Sequence, residues 1–155
     1  MTFRISGLRR DEFKALFPLD DDALAERGAR RQIADKKPGF PCRISLQDAD
    51  PGERVILLPF QHQATDSPYR ASGPIFVREA AQDVTLAVNT VPELLRIRPL
   101  SVRAYDSRNL MVEADVVDGR ELETLLTRLF ENERASYLHV HFARPGCYAC
   151  RVDRE

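Results

Sequence analysis

Leu122, Leu125, Leu126, Leu129 and Phe130 recur at i, i+3, i+4, i+7 and i+8, so one side of a helix written over residues 119–132 is entirely apolar. Such a stripe has to be buried against something. Asp118 and Glu121 stand three residues apart at its start, the spacing of a capping box with Asp in place of Ser or Thr. On either side the hydrophobic period drops to two. Leu110, Val112, Ala114 and Val116 alternate before the helix, following a shorter run at 101–105, and Leu138, Val140 and Phe142 alternate after it. This ββαββ order predicts a mixed, mainly antiparallel sheet with the amphipathic helix packed on one face, an α+β fold.

The first half is patterned less regularly. Phe3 and Ile5 read as a short opening strand, and Phe13, Leu16 and Phe17 stand at helical spacing until Pro18 stops them. Asp20 to Asp22 place negative charge at the start of a second short helix, Ala23 to Arg27, with Gly28 as its C-cap, which completes a small helical pair near the N-terminus. Cys42, Ile44 and Leu46 alternate with polar residues, and Asp50-Pro51-Gly52 turns the chain into Arg54 to Phe60, so a hairpin is expected there. Further apolar runs stand at Pro74 to Val77 and at Val84 to Val88. A chain of this length buries one core, and we expect a single domain spanning 1–155.

The 23 basic and 24 acidic residues are dispersed, for a net charge of -1, which argues against nucleic acid held through phosphate contacts and against an anionic membrane surface. No stretch approaches the roughly 18 apolar residues of a membrane-spanning helix. The first ten residues lack the apolar run of a secretion signal, and the three cysteines are an odd number, so free thiols in a cytoplasmic setting are expected. The oligomeric state is left open.

His139, His141, Cys147 and Cys150 place four metal-ligand side chains within twelve residues. Strand parity divides them. With Arg144-Pro145-Gly146 as a three-residue hairpin loop, Val140 faces Cys150 and Phe142 faces Tyr148. That puts Leu138, Val140, Phe142, Tyr148, Cys150 and Val152 on the core face and His139, His141 and Cys147 on the other. The two sulfurs of the C-x-x-C point apart, so neither a metal nor another cofactor is expected. A redox role is equally disfavoured, since the pair opens a strand rather than a helix.

The polar stretch 61–74 gathers His62, Asp66, Ser67, Tyr69, Arg70 and Ser72 between apolar runs, and long polar connections of this kind often carry function. His62 and Asp66 have the chemistry of a base and its orienting carboxylate, Tyr69, Ser67 and Ser72 that of hydrogen-bond donors, and Arg70 that of an anion clamp. With His139 and His141 these form the candidate site for a small polar or anionic ligand, with or without catalysis. The alternative is a protein-interaction or regulatory module that uses the same loop as a contact surface. Cys42 lies between Pro41 and Arg43 and reads as a small core residue. Arg96, Arg98 and Arg103 have Glu113 and Asp115 as expected partners.

Lys37-Pro38-Gly39-Phe40-Pro41-Cys42-Arg43, Asp66-Ser67-Pro68-Tyr69, Ser72-Gly73-Pro74-Ile75-Phe76-Val77 and Gly146-Cys147-Tyr148 with Arg151 to Arg154 resemble a bacterial family known as domain of unknown function 1203. The resemblance covers essentially the whole chain. It implies a small stand-alone bacterial protein and brings no activity or cofactor with it.

Overall fold

The computed structural model describes residues 1–155. Its elements in chain order are β1 (Phe3–Ser6), a 3-10 turn (Arg10–Glu12), α1 (Asp21–Glu26), β2 (Arg30–Ile33), β3 (Arg54–Gln63), β4 (Ala71–Arg78), α2 (Glu93–Arg96), β5 (Pro99–Tyr105), β6 (Met111–Asp118), a second 3-10 turn (Gly119–Glu121), α3 (Leu122–Glu131), β7 (Tyr137–Phe142) and β8 (Tyr148–Arg154). Two antiparallel sheets result, one of five strands in the order β1-β8-β7-β5-β6 and one of three in the order β2-β3-β4. The fold is α+β.

All five residues of the leucine stripe on α3 are buried. They pack on Leu100, Val102 and Ala104 of β5, Leu138, Val140 and Phe142 of β7, Cys150 and Val152 of β8, and Phe3 and Ile5 of β1. Each such side chain contributes about 1.5–3 kcal/mol of transfer free energy. The helix start is built differently from the expected capping box. Asp118 accepts from the Arg120 N–H and caps the 3-10 turn, and the Arg120 side chain holds its carboxyl down at about 2.

Several expected elements take another form. The Phe13 to Phe17 segment is a chain of tight turns, in which Phe13 N–H donates to Arg10 O and Leu16 N–H to Phe13 O, so α1 is the single α-helix of this region. Residues 42–46 form no strand. Leu46 N–H turns back to Cys42 O, Leu46 sits at φ 54, and Arg43 is as buried as its neighbours, so the apparent alternation is lost. The partners of β3 are instead β4 and the polar strand β2. Val84 to Val88 adds no strand, although Val84 and Leu86 pack on the main core. On β6 the expected face holds at Val112 and is lost beyond it. A bulge pairs Tyr105 with Met111 and Ala104 with Glu113, leaving Val116 at 65% exposure while Val112 and Val117 meet the core. Glu113 and Asp115 then pair with Arg128 of α3, Arg96 pairs with Glu123, and Arg98 pairs with Asp48.

The β7–β8 hairpin keeps the expected register from Leu138↔Val152 to Val140↔Cys150 and then breaks it. His141 pairs with Tyr148, so Ala149 is an extra residue on β8, a β-bulge. Ala149 and Cys150 both join the α3 side of the sheet, and Tyr148 moves to the histidine face. Cys150 is fully buried, which pushes its thiol up to about 12. Cys150→Ser is expected to lower the unfolding free energy by about 1–3 kcal/mol by burying an imperfectly bonded hydroxyl. Cys147→Ser, at the half-buried turn, should cost less than half as much, and paired urea melts compare the two.

Candidate functional site

The expected loop 61–74 is shorter in the fold, because β3 runs to Gln63 and β4 begins at Ala71. His62 therefore projects from a strand. It meets the face of the five-stranded sheet opposite α3, where Tyr137, His139 and His141 alternate with the core residues of β7. The His62 ring lies parallel to Tyr148 at 5.5 Å and edge-on to His141 at 5.0 Å. His139 is 6.4 Å from His62 and stands edge-on to Tyr148 at 5.1 Å. Tyr105 and Tyr137 stack at 5.3 Å beside His139, and Tyr69 caps Tyr105 at 6.0 Å. All three histidines and all four tyrosines of the chain thus share one aromatic layer.

Within that layer the imidazoles find few hydrogen-bond partners. The His141 Nδ1 lies 3.1 Å from Gly146 O, and a carbonyl only accepts, so Nδ1 carries the hydrogen and Nε2 is a bare lone pair. His141 Nε2, His62 Nδ1 and His139 Nδ1 are all buried without a hydrogen-bond partner. Burial, reinforced by the other two imidazoles and by Arg151 and Arg103, pulls His139 down to about 3. Burial and then Arg103 pull His141 down to about 4, against the Gly146 carbonyl, and burial with Arg103 also lowers His62. The imidazoles are neutral at pH 7. They touch by edges and faces rather than converging nitrogens, and no group of three or more His, Cys, Asp or Glu side chains is arranged to hold a metal ion.

The remaining sequence candidates sit on the loop and its edges. Asp66 is fully exposed and lies 3.5 Å from Arg70, Ser67 Oγ accepts from the Tyr69 N–H, and Ser72 is an exposed strand residue. Of this group only Tyr69 touches the aromatic layer.

A second site has a cavity. A space of about 690 Å³ opens where the 36–43 segment, the middles of β3 and β4, the α2–β5 junction and the β7–β8 turn meet. Its lining contains Lys36, Arg43, Arg98, Arg144 and Cys147 and no carboxylate. Asp48 neutralises Arg98 through bonds of 2.6 and 2.9 Å. Lys36, Arg43 and Arg144 have no carboxylate within ion-pair distance. For Arg43 this is unusual, since it is 1% exposed and buried charges are normally paired. Its Nε donates to Tyr148 O at 2.7 Å, Nη1 to Pro41 O at 2.6 Å and Nη2 to Cys147 Sγ at 3.0 Å. Burial lowers the guanidinium pKa and the Cys147 sulfur opposes that shift. The Phe142 ring lies under Arg43 at 4.9 Å and Arg98 at 5.1 Å. Leu57, Phe76 and several prolines supply apolar wall.

None of the eight side chains singled out in the sequence lines this cavity. A signal was present all the same. Three of the stretches that carry the family resemblance, 37–43, 72–77 and 146–148, each contribute to its wall through Pro41 and Arg43, Pro74 and Phe76, and Cys147. The chain belongs to the family of proteins of unknown function DUF1203, whose family model matches residues 39–154. No curated protein and no solved structure matches it.

Proposed function

We propose that this protein binds a small anionic organic molecule in the cavity at Arg43. The observation that carries the reading is that Lys36, Arg43 and Arg144 face one space with no carboxylate partner, so the fold assembles positive charge that a ligand would complete. The apolar wall formed by Leu57, Phe76 and Phe142 suits the body of such a molecule, and guanidinium groups suit its carboxylate or phosphate. A cytoplasmic setting belongs to the same reading, because it keeps the thiol beside the ligand reduced.

Calorimetric titration with inorganic phosphate and with a panel of mono- and dicarboxylates tests the proposal. Arg144 is exposed, so Arg144→Ala should leave the fold intact while weakening binding about 5- to 10-fold, the loss of roughly 1–1.4 kcal/mol. Saturating behaviour in no member of the panel would remove the proposal. A second reading keeps the ligand at His62, His139, His141 and Tyr69, and it is supported by the three buried ring nitrogens without partners. It predicts the opposite pattern, with binding lost in His141→Phe and unaffected by Arg144→Ala.

A further inference from the structure

We infer that Cys147 is the nucleophile of this cavity and that it reacts preferentially with small anionic electrophiles. The choice of electrophile rests on the anionic-ligand reading above, whereas the reactivity of the sulfur rests on its own contacts. Cys147 is the one half-buried thiol of the chain. Cys42 and Cys150 are both 0% exposed, and Cys42 is engaged by the Arg78 N–H at 3.3 Å.

Arg43 supplies an independent observation. Three of its five N–H groups find acceptors, two of them neutral backbone carbonyls, and among those acceptors only the Cys147 sulfur can carry negative charge. A guanidinium that lines the cavity, nine-tenths buried and without a carboxylate, stabilises the anionic form in which a cysteine attacks. Lys36 and Arg144, exposed at the same cavity, attract an anionic reactant to that sulfur. His141 stands close by through its bond to Gly146 O, but its one free nitrogen is buried, so the thiol proton leaves to solvent.

Alkylation of the native full-length chain with iodoacetate and, separately, iodoacetamide tests this directly. In both reactions the Cys147 S–C bond forms, the C–I bond breaks, iodide departs and the thiol proton passes to the buffer. Peptide mass mapping reads the rate at each cysteine, with free cysteine in the same buffer as reference. Cys147 should label at least about 10-fold faster than free cysteine with iodoacetate, while Cys42 and Cys150 stay unlabelled. The ratio of iodoacetate to iodoacetamide rates should exceed that of free cysteine several-fold at low salt and fall toward it at about 1 M NaCl. Lys36→Ala with Arg144→Ala should lower the ratio and spare the iodoacetamide rate.

Arg43→Lys should slow both reagents. If that variant does not fold, the salt series and the surface pair still decide the matter. Labelling no faster than free cysteine with either reagent overturns the inference, even if phosphate or a carboxylate binds the cavity. Fast labelling with an unchanged ratio overturns the anionic preference, whereas the ligand reading stands or falls with the calorimetric titration.

Discussion

Lowering the pH from 6.5 to 4.5 is expected to remove about 2–5 kcal/mol of folding stability, a loss centred on the buried histidines. An unfolded histidine titrates near 6.5, whereas in the fold His139 is drawn down to about 3 and His141 to about 4, with His62 lowered as well. Between those values the unfolded chain binds more protons than the native one, so stability rises with pH across the window and is level above it. Each pKa unit is worth about 1.4 kcal/mol, and relaxation around the rings reduces the sum. Carboxylates that the fold holds below their ordinary range begin to add their own loss at the foot of this window, Glu53 and Glu123 from their ordinary 4.5 downward and Asp118 from 3.8 down to its folded value of about 2. Urea melts at pH 7.0, 5.5 and 4.5 measure the slope, and His139→Phe should flatten it without abolishing the fold. A level profile through this window would mean that the imidazoles are hydrated in solution.

Gly119→Ala is expected to destabilise the protein by at least about 3 kcal/mol, among the largest effects a single methyl group can have. A Cβ at that position would lie 1.9 Å from Leu95 O and 2.7 Å from Arg98 O. Both obstacles are backbone and cannot swing aside. The Gly119 N–H also donates to Arg98 O at 3.0 Å, which ties the start of α3 to the α2–β5 junction and to the cavity wall that Arg98 supplies. Gly73→Ala on β4 is the control, since its Cβ would meet nothing within 4 Å. The two variants, compared by urea denaturation, should differ by nearly the whole effect.

The parts of this fold that could be read in advance are those in which local period decides. The stripe from Leu122 to Phe130 needs only 3.6-residue spacing to declare a buried helix, and the strands around it need only alternation. Arg30 to Ile33 carries neither pattern, because β2 is an edge strand of polar residues that owes its existence to β3. Residues 42–46 mimic alternation, but a buried arginine replaces the expected polar face. At Ala149 one extra residue reverses the parity of Tyr148, and no rule of spacing announces a bulge. The meeting of His62 with His139 and His141 depends on how one sheet lies against another. The cavity cations at 36, 43, 98 and 144 are too widely spaced in sequence to form any motif, and only the family-like stretches hinted at their convergence.

β1 is the first strand of the chain and its only sheet partner is β8, with Phe3 opposite Arg154 and Ile5 opposite Val152. Arg43 likewise finds two of its three acceptors more than a hundred residues downstream. On a ribosome, the opening strand and the buried guanidinium must therefore wait until the β7–β8 hairpin, more than a hundred residues downstream of Arg43, has emerged before either can be satisfied. Pairing over such separations slows folding. It also ties the cavity to the β7–β8 hairpin: until that hairpin is in place Arg43 lacks two of its three acceptors and β1 is an unpaired strand edge, the kind of surface that makes a folding intermediate prone to aggregate.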